Sequence, residues 1–318
     1  MISYPTILQA VLPVFLIMAV GFLTRRTGFL SGAGDEALMK LTVNLFFPAL
    51  ILDNILGDPL LREGGTVFSA VFLGFAIVVF GIALCYLAAP VLGLEKGKGR
   101  RTFALATGIQ NYGFMAIPVL VTLFPESGSL GLLFAHSLGV EIAVWTVGLT
   151  ILTGTIGEPW KVLANGPLLA IIVGLTLNYT GGDKAIPAVA ATALESLGAC
   201  SIPVALLLVG ASIADLMKAK RIARASTIYF GACTLRLVIL PVPFLVAAIY
   251  FNLVPELRQV LIVQAAMPGA LFPIVLAKHY GGHPATAVQV AIATTLASLV
   301  TMPIIITIGM RLVFPAAQ

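Results

Sequence analysis

The fold class predicted by this 318-residue chain is an all-α membrane protein, with ten spanning helices arranged as two inverted five-helix repeats, and three observations predict it. Hydrophobic residues make up 59% of the chain and charged residues 10%, whereas soluble globular domains carry about 25% charged residues. Apolar stretches of about 20 residues, each enough to cross a hydrocarbon core of roughly 30 Å, recur from end to end. Two of these stretches are broken at corresponding places by Gly and Pro. A soluble fold is excluded, and the lipid bilayer is the solvent the chain expects.

Spanning segments are expected at 4–23, 37–56, 67–92, 102–124, 128–155, 166–179, 186–213, 225–250, 258–280 and 285–313. The sixth is short, while the third, fifth, seventh and tenth are long enough to tilt or to reach into the interface. The halves are 1–156 and 166–318, joined by a short cytoplasmic linker at 157–165. Met1 to Pro5 carry no basic run, and no small-residue cleavage pattern follows, so the first segment is expected to be retained. Cys85, Cys200 and Cys233 sit inside apolar segments without the close spacing of a metal site and read as small buried hydrophobes. No cofactor or metal is expected.

Ten crossings gather Arg25, Arg26, Lys40, Lys96, Lys98, Arg100, Arg101, Lys161, Lys218, Lys220, Arg221, Arg224 and Lys278 on one side, thirteen of the eighteen Lys and Arg residues. The other side and the termini hold Arg62, Lys184, Arg258 and Arg311. The positive-inside rule makes the rich side cytoplasmic, so both termini are expected on the non-cytoplasmic side of the cell membrane. The formal net charge of +5 is therefore sorted by membrane side, and nucleic acid is not an expected partner.

The fourth segment is interrupted at Gln110-Asn111-Tyr112-Gly113-Phe114-Met115-Ala116-Ile117-Pro118, and the ninth at Ala266-Met267-Pro268-Gly269-Ala270-Leu271-Phe272-Pro273. Pro48-Ala49-Leu50 in the second segment and Pro203-Val204-Ala205-Leu206 in the seventh also correspond, so the period is five helices. Five is odd, and the halves are inverted. Gly/Pro-broken helices at matching positions of inverted repeats are the best sequence pointer to a transporter's midplane site. Proline lacks an N–H and Gly tolerates unusual backbone angles, so unwound backbone with free polar groups is expected there. Such backbone is stable at membrane depth only where it lines a cavity or meets protein. A half-helix N-terminus with open donors also suits a carboxylate.

These residues resemble the auxin efflux carrier family, which includes the plant PIN auxin exporters and bacterial malate and malonate carriers, within the bile acid/sodium symporter-like superfamily. NYGFMAIPVL from Asn111 to Leu120 is similar to the PIN crossover NTLVMGIPLL, and AAMPGALFPIVLAKHY from Ala265 to Tyr280 resembles AALPQGIVPFVFAKEY. His283-Pro284 follows in register, and Glu141 with Trp145 lies where PIN proteins carry Gln and Trp. The resemblance implies that the two crossovers bracket the substrate. It also implies a homodimer, and an elevator in which transport helices 3–5 and 8–10 slide past scaffold helices 1, 2, 6 and 7. The chain departs from the pattern at Gln110, where the family has Pro, so the first break is expected to depend on Gly113 and Pro118. The long regulatory loop of many plant members is absent. The family spans dicarboxylates and indolic acids, and the expected substrate is a small organic anion.

Expected substrate-binding residues are Asn111, Gln110, Tyr112, Gly113, Pro118, Met267, Pro268 and Gly269, with Asn44 from the second helix. Asn111 offers donors and an acceptor, and either faces the substrate or caps freed backbone. Asn44 either reaches the cavity or satisfies a carbonyl freed by Pro48. Gln264, Thr294, Ser298 and Thr301 are expected to bond between helices. His136 has no metal-ligand partner at suitable spacing.

Arg236 and Glu141 lie near the midplane by count, Arg236 at roughly 15 Å from the start of its helix. An unpaired charge there costs at least about 2.5 to 3.5 kcal/mol. Either Glu141 takes up and releases a proton beside the anion, with Ser137 as polar neighbour and Arg236 holding it or the substrate, or the two form a static ion pair. Both H⁺ and Na⁺ are open as coupling ions. No metalloprotease or nucleophile motif supports an enzyme. A sodium-coupled organic anion symporter and a non-transporting solute sensor are the alternatives.

Overall fold

The protein is described by a computed structural model at residues 4–95, 97, 99–125, 127–155, 165–218 and 226–315. Residues 157–164 of the linker and Lys96, Lys98, Lys161, Lys220, Arg221 and Arg224 lie outside the described residues. Among the described residues the secondary structure is helical, apart from one isolated bridge pair, Gln110 with Gly269.

Seven helices are long and apolar enough to cross a membrane: α1 (Tyr4–Arg26), α2 (Gly32–Ile55), α3 (Gly64–Leu92), α5 (Ser129–Thr153), α7 (Ala188–Met217), α8 (Thr227–Tyr250) and α10 (Pro284–Val313). A shorter apolar helix, α6, spans Gly166–Thr180. The fourth and ninth segments are each split, into α4a (Arg100–Gly108) and α4b (Ala116–Leu123), and into α9a (Pro255–Ala266) and α9b (Phe272–His279). Each piece rises about 12 to 18 Å at 1.5 Å per residue, half a bilayer core, so only a pair in series crosses it. The arrangement is compatible with ten crossings.

Three helices carry a π turn, at Thr42–Phe46, Val144–Gly148 and Leu235–Ile239. Two of these end two residues before a proline, Pro48 and Pro241. A proline ring clashes with the carbonyl four residues earlier, and the wider turn absorbs that clash without ending the helix.

The helices sort by contact. α1 packs along α7, and α2 packs against α6 and α7. α3 packs on α5 and α4a, while α8, α9a, α10 and α4a pack together. Two crossings are set by glycine, because bilayer lipid gives helices no hydrophobic drive to associate and close approach supplies the packing. A Cβ on Gly210 of α7 would fall on the Met18 carbonyl of α1, and one on Gly139 of α5 on the Val71 carbonyl of α3.

Ion pairs tie the first group together at its ends. Arg25 donates to Asp215 at 2.8 and 2.9 Å and lies 4.0 Å from Asp35, joining α1, α7 and α2. At the opposite end Arg62 meets Asp183 at 2.7 Å, and the buried Asn178 of α6 accepts from the Gly57 N–H at 3.0 Å. The cysteines are less uniform than their apolar setting suggests. Cys85 is buried and Cys233 half-buried, but Cys200 is exposed on α7.

Candidate functional site

The two breaks cross and pair as short extended strands. Asn111 N–H donates to the Pro268 carbonyl at 2.8 Å, and Ala270 N–H donates to the Ile109 carbonyl at 3.0 Å. Pro268 has no N–H of its own and acts only as acceptor, which a bridge of this size allows. The pairing solves the problem of unwound backbone at membrane depth, since each break satisfies part of the other. Gly269 is needed for the approach: a Cβ there would stand 2.7 Å from the Ala106 carbonyl.

Side chains complete the junction. Thr294 of α10 accepts from Gly269 N–H at 3.1 Å while donating to the Val290 carbonyl at 2.8 Å. Gln264, one turn before the second break, donates to the Tyr112 carbonyl at 3.2 Å. Ser298 bonds the Thr295 carbonyl within its own helix, and the Thr301 hydroxyl is unpartnered among the described residues.

The N-terminal end of α4b is the open part of the site. Tyr112, Gly113 and Phe114 are half-buried, whereas Gln110, Asn111, Met115 and Pro118 are buried. A Cβ added at Gly113 would meet nothing within 4 Å. The Gly113 carbonyl accepts from Ile117 and starts the helix, while the N–H groups of Gly113 and Phe114 take no backbone partner among the described residues. Such donors at a helix start attract an anion through both hydrogen bonding and the helix dipole. Phe47 of α2 meets Phe114 edge-on at 5.2 Å, and Trp145 lies 6.0 Å from Phe272, so aromatic rings stand around this end.

Glu141 joins the crossing through Tyr112, whose hydroxyl donates to Glu141 Oε1. Trp145 Nε1 donates to Oε2 at 3.0 Å, and Asn165, at the start of α6, reaches Oε1 at 3.5 Å. Tyr112 is thus bonded by its ring to α5 and by its carbonyl to α9a. Ser137 turns its hydroxyl to the Leu133 carbonyl at 2.8 Å and gives Glu141 nothing.

Arg236 is 1% exposed and sits inside the π turn of α8. No ion pair joins it to Glu141 among the described residues. Its Nη1 donates to the Gly108 carbonyl at 3.4 Å, and its guanidinium lies 5.8 Å from the centre of the Phe244 ring. Among the described residues Nε and Nη2 have no hydrogen-bond partner, nor do the amide atoms of Gln110 or the ring nitrogens of His136. The static pair between Glu141 and Arg236 is therefore not what the fold builds.

Met267 is buried beside the second break, at the C-terminal cap of α9a. Asn111 makes its bond to the crossing through its backbone, and no bond from its amide is seen among the described residues. Asn44 is exposed on α2, where its amide donates to the Lys40 carbonyl of its own helix at 2.9 Å. It stands beside Gly166, next to Asn165 rather than at the crossing itself. Sequence reasoning missed Asn165, while Thr294 bonds between helices as expected, through the Gly269 N–H. Asn165 sits at the end of a linker with no motif.

The sequence profile of the Membrane transport protein family matches residues 6–159 and 155–306, and so runs through both crossing breaks. An uncharacterized transporter of Methanocaldococcus jannaschii is 24% identical over 298 residues, which cover 86% of this chain and 89% of that protein. The chain belongs to the membrane transport protein family, the family that the crossover motifs resemble.

Proposed function

We propose that this chain is a secondary transporter, not an enzyme, that moves a small organic anion such as a carboxylate across the cell membrane by elevator-type alternating access. The observation that carries the reading is the open N-terminal end of α4b at Gly113, held beside a crossing of two broken helices. A carboxylate there meets free N–H donors, with Asn111 and Tyr112 alongside. The division of labour follows the packing: α1, α2, α6 and α7, tied by Arg25–Asp215 and Arg62–Asp183, form the scaffold, and the remaining helices carry the site. The family resemblance supports a homodimer through α1, α2 and α7.

Thermal-shift screening of monocarboxylates, dicarboxylates and indole acids on the purified protein, with and without sodium, identifies a ligand. Counterflow of that labelled ligand in proteoliposomes then tests transport, because a sensor binds without exchange and a channel shows no trans-stimulation. Binding without counterflow would remove the transporter reading.

Two expectations follow for sidedness and coupling. In intact cells, a cysteine placed near Arg100 is protected from impermeant thiol reagents and one near Gln318 labels readily; the opposite pattern reverses the orientation. Glu141 holds Tyr112 of the crossing and is the one carboxylate seen there among the described residues, so it is the proposed proton carrier. Glu141→Gln should remove the pH dependence of net transport while preserving solute exchange. Retained pH dependence would withdraw that role.

A further inference from the structure

In an unbroken helix the Gly108 carbonyl would accept from the N–H of Tyr112, four residues on. Here Tyr112 N–H turns back to the Gln110 carbonyl at 2.9 Å, and the Gly108 carbonyl takes Arg236 Nη1 instead. Gly108 is the last residue of α4a, so its carbonyl is also part of the negative end of a half-helix dipole. Water is shut out of that end, because α3 packs tightly on it: a Cβ at Gly108 would lie 2.6 Å from the backbone nitrogen of Ile82. A buried carbonyl end with no water needs a donor from the protein. The π turn at Leu235–Ile239 presents one, with a fixed positive charge.

We propose that Arg236 is a positioning residue that keeps the first break open, by supplying to Gly108 the hydrogen bond the break has taken away and the counter-charge its dipole end requires. The proposal rests on the crossing being the substrate site, and it places Arg236 behind that site instead of on the substrate. Without the guanidinium, the nearest way to satisfy Gly108 is to return Tyr112 N–H to it. That extends α4a through 109–112, breaks the Asn111–Pro268 pairing and draws Gly113 into a continuing helix, where its N–H is no longer free.

Gly113 gives a readout that needs no substrate, since the space beside it is open and its φ is not in the left-handed region. In full-length protein with Cys85→Ala, Cys200→Ser and Cys233→Ser, Gly113→Cys is labelled in nanodiscs with the anionic reagent 2-sulfonatoethyl methanethiosulfonate. Adding Arg236→Met, which keeps most of the volume but not the charge, should slow labelling at least tenfold while the protein stays monodisperse. Arg236→Lys should bring the rate back to within threefold of the parent. Unchanged labelling in Arg236→Met overturns the proposal, as does a lysine variant that labels as slowly as the methionine variant. Where Arg236→Met yields no folded protein, the lysine variant decides: a parental rate supports the role and a tenfold loss ends it. Counterflow is scored separately on the parent, so absent transport with an Arg236-dependent labelling rate removes the substrate reading and leaves the helix-break role standing.

Discussion

Gly139→Leu is expected to leave no monodisperse protein after extraction. A Cβ at this position falls on the Val71 backbone of α3, and backbone cannot swing aside as a side chain does. Overpacking by one methylene already costs about 1–3 kcal/mol in a packed core, and whole domains are stable by only about 5–15 kcal/mol. The neighbouring crossing tightens the constraint, because Gly74 of α3 abuts the His136 carbonyl of α5 in the same way. Gly113→Ala is the control, as nothing lies within 4 Å of its added Cβ, and it should melt within a few degrees of the parent. Size-exclusion profiles and melting curves of the two variants decide the matter; a well-folded Gly139→Leu would mean that α3 and α5 are not locked as they stand.

Pro268→Ala should abolish most transport while leaving the protein folded. Proline is about 3 kcal/mol worse than alanine inside a helix, so the substitution shifts the balance between the broken and continuous forms of the ninth helix by about a hundredfold. Such a shift removes the acceptor geometry that Asn111 N–H uses at 2.8 Å, and with it the pairing of the two breaks. Asn111→Ala acts differently. It keeps the backbone bond and loses only the amide, so it should weaken ligand binding by about tenfold, the scale of one lost hydrogen bond of 1–2 kcal/mol. Counterflow rates against melting temperature for the two variants separate these effects. Normal transport in both would show that the crossing is not the site.

The positions of the breaks were legible because their causes are local. Gly113, Pro118, Pro268 and Gly269 each act on the backbone at their own position, and their repetition at a five-helix period needs no tertiary knowledge. That Glu141 and Arg236 are charges set within long apolar segments was legible too, and both are buried. Their partners were not. Depth says nothing of azimuth, and the π turn that carries Arg236 rotates it off the face an ideal helix would give. It lands on Gly108, 128 positions away in the chain, rather than on Glu141. Glu141 in turn found Tyr112, a residue already singled out for the break but whose ring direction depends on how the break unwinds. Asn44 shows the opposite limit: one turn before Pro48, its amide bonds the Lys40 carbonyl of its own helix, inside a π turn that no sequence motif marks.

The π turn at Leu235–Ile239 has a consequence for how the gene can vary. A π turn is the shape an α-helix takes when it holds one extra residue while both of its ends stay docked. Deleting one residue between Leu235 and Leu240 should therefore restore plain helix and leave Pro241–Tyr250 seated as before, a tolerance that a single deletion in α1 or α3 would not enjoy. The cost falls inside the turn: as the widened turn closes, the side chains it carries change direction, while the segments on either side keep theirs. In such a protein Arg236 would be present, buried at the same depth and aimed away from Gly108. Length variants at this one place thus separate having the arginine from having it in phase.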